Sequence, residues 1–290
     1  MKLLNLLAVI VIISALACNS TKDNPKPTLP KGDTTTKMVK VVDDKGATIE
    51  VPVAKAISLY RPKIDSTKPF LYLTWDDGPN EGTPNITRLV KQYHIPMSLF
   101  LVGRNATSPR YMQMYQEQAK MDNVTFHNHS WSHANGRYQA YYSNPTTLVQ
   151  DFAKGKNIFQ YTNKISRGPG RNAWRVNGIT ATDIKASTRG VDSLASAGYN
   201  VIGWDIEWRF KMAGGTVNPV QTADQMLAEI AAKFATNDMR IKKHMILLAH
   251  DQMFTTPANV EQLSLFFDKL QKENKYNIAY ITDYPACKGL

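Results

Sequence analysis

The 290-residue chain has room for one large domain and a short appendage. Hydrophobic residues at 43% and charged residues at 20% exclude a disordered or collagen-like polypeptide. Lys plus Arg number 35 against 24 Asp plus Glu, a net charge of +11 that favours anionic partners, and two cysteines exclude a disulfide scaffold or a cysteine-rich zinc module.

Residues 1–17 read as a signal peptide. Lys2 precedes an apolar run from Leu3 to Ala17, broken only by Asn5 and Ser14, and the run is shorter than the roughly 20 apolar residues a spanning helix needs. Its end, Ala15-Leu16-Ala17-Cys18, resembles a bacterial lipoprotein signal in which Cys18 is lipidated, although Ala15 stands where Leu is usual. An ordinary cleaved signal with an incidental Cys18 is the other reading. Both predict export, which argues against nucleic acid as the partner of the basic charge. Residues 18–36, with Pro25, Pro27 and Pro30 among Lys and Thr, predict an extended tether. Residues 37–66 are expected to form a small β extension, a hairpin around Asp44-Lys45-Gly46.

Residues 67–290 alternate short apolar β-type runs with amphipathic stretches. Strands are predicted at Leu71–Trp75, Met97–Val102, Val124–Phe126, Lys164–Ser166, Asn200–Trp204, Met245–Ala249 and Ile278–Ile281. Ser108-Pro109, Asn144-Pro145 and Asn218-Pro219 are read as helix starts between them. The alternation predicts an α/β fold, a distorted (β/α) barrel of about seven parallel strands.

The polar residues fall just past the predicted C-terminal strand ends, which form one rim of a parallel barrel. Asp76 and Asp77 follow the first strand, His129 and His133 the third, Arg167 the fourth, Asp205 and Glu207 the fifth, and His250 with Asp251 the sixth. Each has a plain alternative. Asp-Gly-Pro is turn chemistry, His250 ends a very apolar run, and Arg167 could be a loop arginine. Trp204 and Trp208 suit either a core or the walls of a sugar site. The spacing of His129 and His133 predicts one helical turn presenting both imidazoles, and two imidazoles with a carboxylate suit zinc with a position left for water. His94 and His127 are expected at the surface or in the core, and Cys287 is expected to be inert.

In order, Thr74-Trp75-Asp76-Asp77-Gly78-Pro79, Asn128-His129-Ser130-Trp131-Ser132-His133, Arg167-Gly168-Pro169 and Leu248-Ala249-His250-Asp251 resemble motifs of the polysaccharide deacetylase (NodB-homology, carbohydrate esterase 4) family. The resemblance implies one divalent metal, usually Zn2+ with Co2+ or another ion as alternatives, held by Asp77, His129 and His133. It implies Asp76 as general base, Arg167 as its holder and His250 as general acid. It further implies an oxyanion-binding backbone N–H near Gly170 and an acetyl pocket lined by Leu248, with Trp204 and Trp208 beside the glycan. The fourth motif departs from the family pattern. Glu207 takes the place of the residue that tunes His250, Asp205 is the second choice, and Phe210 replaces a second Asp. Arg171 and Arg175 are candidates for an anionic group on the glycan. The expected whole is a monomeric envelope lipoprotein that removes acetyl groups, N-acetyl ahead of O-acetyl, from a polysaccharide. A catalytically inactive carbohydrate-binding protein on the same scaffold is the alternative.

Overall fold

The computed structural model describes residues 38–42, 48–52, 59–159, 161 and 163–290. The signal peptide, Cys18, the tether and the turn at Asp44-Lys45-Gly46 lie outside the described residues. Residues 36–290 form one compact unit. Its first element is an antiparallel pair, β1 (Met38–Val42) and β2 (Thr48–Pro52).

Seven parallel strands coincide with the predicted ones. They are β3 (Phe70–Asp76), β4 (Met97–Leu101), β5 (Val124–Asn128), β6 (Ile165–Ser166), β9 (Asn200–Val201), β13 (His244–His250) and β14 (Asn277–Ala279). The sequence reading missed five others. β7 (Ala173–Val176) and β8 (Ile179–Thr182) form one antiparallel hairpin, and β11 (Phe210–Ala213) and β12 (Thr216–Pro219) form another. The hairpins turn on Asn177-Gly178 and Gly214-Gly215, all four residues at positive φ, as tight two-residue turns require. A two-residue strand, β10 (Ile206–Glu207), adds itself parallel to β13. The main sheet runs β10-β13-β3-β4-β5-β6-β9-β7-β8. β14 pairs with the first half of β3 and β4 with the second, from Thr74 to Asp76. The sheet is therefore a curled, parallel-rich half-barrel, the distorted (β/α) barrel expected from the sequence.

Helices α1 (Thr83–Tyr93), α2 (Pro109–Gln118), α3 (Tyr138–Ser143), α4 (Pro145–Phe159), α5 (Thr188–Ser196), α6 (Ala223–Thr236) and α7 (Pro257–Glu273) connect the strands. Ser108-Pro109 and Asn144-Pro145 open α2 and α4 as expected. Asn218-Pro219 does not open a helix; it ends β12, and α6 starts after Thr222, whose hydroxyl and the Gln225 side chain form a reciprocal capping box. No helix among the described residues is long and apolar enough to cross a membrane.

The two-residue period of a strand sorts the side chains. Leu71, Leu73 and Trp75 of β3, Met97, Leu99 and Leu101 of β4, and Met245, Leu247 and Ala249 of β13 pack in the core cluster shared with α1, α6 and α7. The alternate residues turn to the concave side, where Tyr72, Phe100 and Ile246 form a second cluster. Continuing along that side toward the strand ends leads from Tyr72 through Thr74 to Asp76, and from Ile246 through Leu248 to His250. A polar rim is the direct result of alternation running off the ends of parallel strands.

Candidate active site

Asp76 is the last residue of β3 and lies opposite His250 in the β3–β13 register. Asp77 follows at φ 73°. This left-handed residue breaks the alternation that would have sent it to the opposite face, so the adjacent carboxylates both reach His129. Asp76 is 2% exposed. Its Oδ1 accepts from Arg167 Nη1 at 2.8 Å, and its Oδ2 lies 3.6 Å from His129 Nε2.

Asp77 Oδ1 lies 3.1 Å from His133 Nε2 and 3.4 Å from His129 Nε2. The expected helical turn is absent. His129 leaves the end of β5, Ser130 reverses the chain at φ 69°, and His133 at φ 50° enters a short 3-10 segment. The imidazoles still meet, with ring centroids 5.0 Å apart, because a left-handed kink brings positions four apart together as a helical turn would.

The donor set fits a divalent cation. The ligand atoms of Asp77, His129 and His133 all lie within 4.8 Å of one another. His129 Nδ1 is 3.0 Å from the Arg167 carbonyl, which accepts from an N–H and so leaves Nε2 with its lone pair toward Asp77. Asp77 Oδ1 is buried and accepts no hydrogen bond. Lone pairs converging this closely need a cation or a proton between them. Burial would raise the Asp77 carboxyl, but the two imidazoles and His250 outweigh it and hold its pKa well below the usual range. Burial would likewise lower His129, yet the charges of Asp76 and Asp77 raise it.

Arg167 is fully buried. It donates to Asp76, to Thr74 Oγ1 at 2.9 Å, and to the carbonyls of Ile202 and Gly203 at 3.3 and 3.0 Å. Its guanidinium carbon stands 4.2 Å from the Phe100 ring centroid. These partners lie on β3 (Thr74, Asp76), on β4 (Phe100) and just past β9 (Ile202, Gly203), so this one side chain ties three parts of the rim together.

His250 is half-buried, with its Nδ1 buried and unpartnered. Of the two candidate carboxylates, Asp205 is occupied below the rim, accepting from the backbone N–H groups of Arg240 and Ile246 at 2.7 and 2.8 Å. Glu207 is the one whose charge interacts with His250; burial first, then the Asp76 charge, raise its pKa while His250 opposes them. On the outer side the Phe210 ring meets His250 edge-on at 4.9 Å and is 39% exposed.

Trp208 is a core residue. It has no exposed surface, and its indole N–H donates to the Gln221 carbonyl at 2.8 Å, so no face is left for a glycan. Trp204 is half-buried, its ring centroid 5.9 Å from Arg167. Leu248 is buried on the concave side. Gly170, at φ 59°, is exposed, and a Cβ there would lie 2.9 Å from the Tyr138 ring; that ring in turn packs edge-on against His133. Arg175 is occupied by Asp192, Thr182 and two carbonyls, which removes it as an anion binder. Arg171 keeps a place at the rim beside Tyr138, with Nε bonded to Ser187. His127 is a core residue bonded to Asn163 and Thr125, burial pushing its pKa down to about 3. His94 caps α1 in the left-handed conformation. Cys287 is buried, its thiol pushed up to about 12 by burial.

Sequence reasoning missed Asn80, Asn105, Gln252 and the role of Asp251. Asn80 and Asn105 donate to the Asp77 carbonyl at 3.2 and 2.9 Å. Asp251 is buried and accepts from Thr83 Oγ1, and a side chain at Gly82 would collide with its carbonyl. Burial pushes Asp251 up to about 7, the Thr83 bond opposing and the Asp77 and Asp76 charges adding. A carboxyl with a higher pKa folded than unfolded weakens the fold as it ionises. The penalty starts above 3.8, grows with pH and is complete above about 7. Its upper bound is on the order of 4 kcal/mol. Asp251→Asn keeps an acceptor for Thr83 and removes that penalty. Thermal melts of the zinc-free chain should coincide near pH 4 and favour the variant near pH 8; a pH-independent difference would refute this.

Residues 63–170 match the family model described as polysaccharide deacetylase. Among solved structures, the chain resembles a Streptococcus mutans carbohydrate esterase 4 enzyme at TM-score 0.54 and 21% identity, over 73% of this chain and 86% of that one. It resembles the catalytic domain of a peptidoglycan N-acetylglucosamine deacetylase from Eubacterium rectale at 0.53 and 19%, over 77% and 93%. A Bacillus anthracis carbohydrate esterase 4 pseudoenzyme matches at 0.50 and 18%, over 76% and 66%. The fold is therefore the one that these carbohydrate esterase 4 structures share, and residues 63–170 are similar to a polysaccharide deacetylase domain. The matched segment holds Asp76, Asp77, His129, His133 and Arg167 and ends at Gly170. Because the fold is shared by enzymes and a pseudoenzyme, activity has to be argued from side chains.

Proposed function

We propose that this chain is a metal-dependent hydrolase that removes acetyl groups, N-acetyl in preference to O-acetyl, from a cell-envelope or environmental polysaccharide and releases acetate. The observation that carries the reading is the convergence of Asp77, His129 and His133 beside an arginine-held Asp76 and opposite His250. Asp77, His129 and His133 hold the metal, most simply Zn2+. When bound it supplies Lewis acidity toward water and the acetyl carbonyl.

Asp76 accepts the proton of the attacking water, its orientation fixed by Arg167. As water adds, the carbonyl oxygen gains charge, and the family resemblance assigns a backbone N–H near Gly170 as its donor. His250 delivers a proton to the departing nitrogen, the C–N bond breaks, and acetate and the free amine result. Glu207 holds the charge that builds on His250. Leu248 bounds the acetyl methyl, while Trp204 and Arg171 flank the glycan. The net charge of +11 suits an acidic polymer, and lipidation at Cys18 would hold the enzyme at the envelope.

The test is acetate release from a panel of N- and O-acetylated glycans, with the chain stripped of metal and reloaded with zinc. Zinc should restore release, and Asp77→Ala should abolish both zinc binding and release. Tight zinc binding with no release from any glycan would favour the inactive carbohydrate-binding alternative.

A further inference from the structure

We infer that Gln252 is a positioning residue for the metal-binding carboxylate: its side-chain amide pins Oδ2 of Asp77 so that Oδ1 alone faces the two imidazoles. The inference rests on the metal-dependent reading above. Gln252 lies in the short 3-10 turn Asp251–Met253 that follows β13, two residues beyond His250. Its Nε2 donates to Asp77 Oδ2 at 2.8 Å, and its Oε1 accepts from Asn80 Nδ2 at 3.2 Å. The amide can point only one way, because a carboxylate offers no proton to Oε1 and Asn80 Nδ2 offers no lone pair to Nε2. Asn80 is fixed in turn: its backbone N–H donates to Thr83 Oγ1 at 2.8 Å, and its Oδ1 accepts from the Gly82 N–H at 2.9 Å.

The consequence is a division of labour within one carboxylate. Oδ2 is held by a neutral donor, and Oδ1 is buried with no hydrogen bond. A carboxylate lacking that donor is free to rotate and to offer both oxygens. Outer partners of this kind typically change metal affinity by about 10–100-fold when removed. The link also joins the β3 end, which provides Asp77, to the β13 end, which provides His250.

Gln252→Met tests the inference, since it keeps the length and bulk of the side chain and deletes both amide bonds. With the full chain, zinc affinity is read by competition against a chromophoric chelator, beside the melting temperature of the zinc-free protein. Gln252→Met and Gln252→Ala should each weaken zinc binding about 10–100-fold and leave the zinc-free melting temperature unchanged. Variants that bind zinc as tightly as the wild type would overturn the inference. So would weakening that tracks a collapse of the zinc-free melting temperature, which would make Gln252 merely structural. A wild-type chain that binds no zinc is a separate outcome, overturning the metal-dependent reading itself and the inference with it.

Discussion

Asp76→Asn should slow acetate release by about 10²–10⁴-fold, the usual range for losing a general base, with zinc affinity kept within a few-fold of wild type. The substitution is nearly isosteric, and its amide oxygen can still accept from Arg167 at the position now 2.8 Å away. What it loses is the capacity to take a proton. Zinc affinity separates this role from that of the neighbour, because the converging ligand atoms come from Asp77, His129 and His133, not Asp76. A zinc-loaded variant that retained more than a tenth of the rate would remove Asp76 from the reaction. The distinction matters in this fold, where a structural neighbour is a pseudoenzyme and the half-barrel alone says nothing about turnover.

The main sheet was legible because its strands announce themselves as apolar runs. Met245 to Ala249 and Leu71 to Trp75 read as buried β, and both are fully enclosed. The rim was legible because Asp76, His129 and His250 stand at or just past the ends of such runs. The hairpins at 173–182 and 210–219 were not, because their strands are only four residues long, and β11, although it holds Phe210 and Met212, is exposed along its length. Their turn dipeptides, Asn177-Gly178 and Gly214-Gly215, were the available sign. The His129–His133 spacing led to the right pair through the wrong local structure, since periodicity does not register a left-handed Ser130. Trp208 shows the limit of residue type as evidence: an indole after a rim carboxylate suits a sugar wall or a core equally. Only the burial of its ring and its bond to Gln221 decide for the core. Gln252 and Asn80 were invisible for another reason. They meet Asp77 from 175 and 3 residues away, and an amide gives no pattern along the chain.

Arg167→Met should be the most destabilising of these substitutions, on the order of 3–5 kcal/mol, because removing one member of a buried ion pair leaves the other uncompensated. Asp76 would remain 2% exposed without its cation, and the carbonyls of Ile202 and Gly203 would lose their donor. At roughly 2–4 °C per kcal/mol for a domain of this size, the melting temperature should fall by about 10 °C. Arg167→Lys separates stability from positioning. A lysine keeps the charge but not the planar fork that reaches Asp76, Thr74 and two carbonyls together. Assayed well below its melting point, Arg167→Lys should show kcat lowered by about tenfold or more with KM little changed. Asp76 would then be present but loosely aimed. An Arg167→Met chain melting within 2–3 °C of wild type would show that the rim is held some other way, and an Arg167→Lys enzyme with wild-type kcat would show that Asp76 needs no such holder.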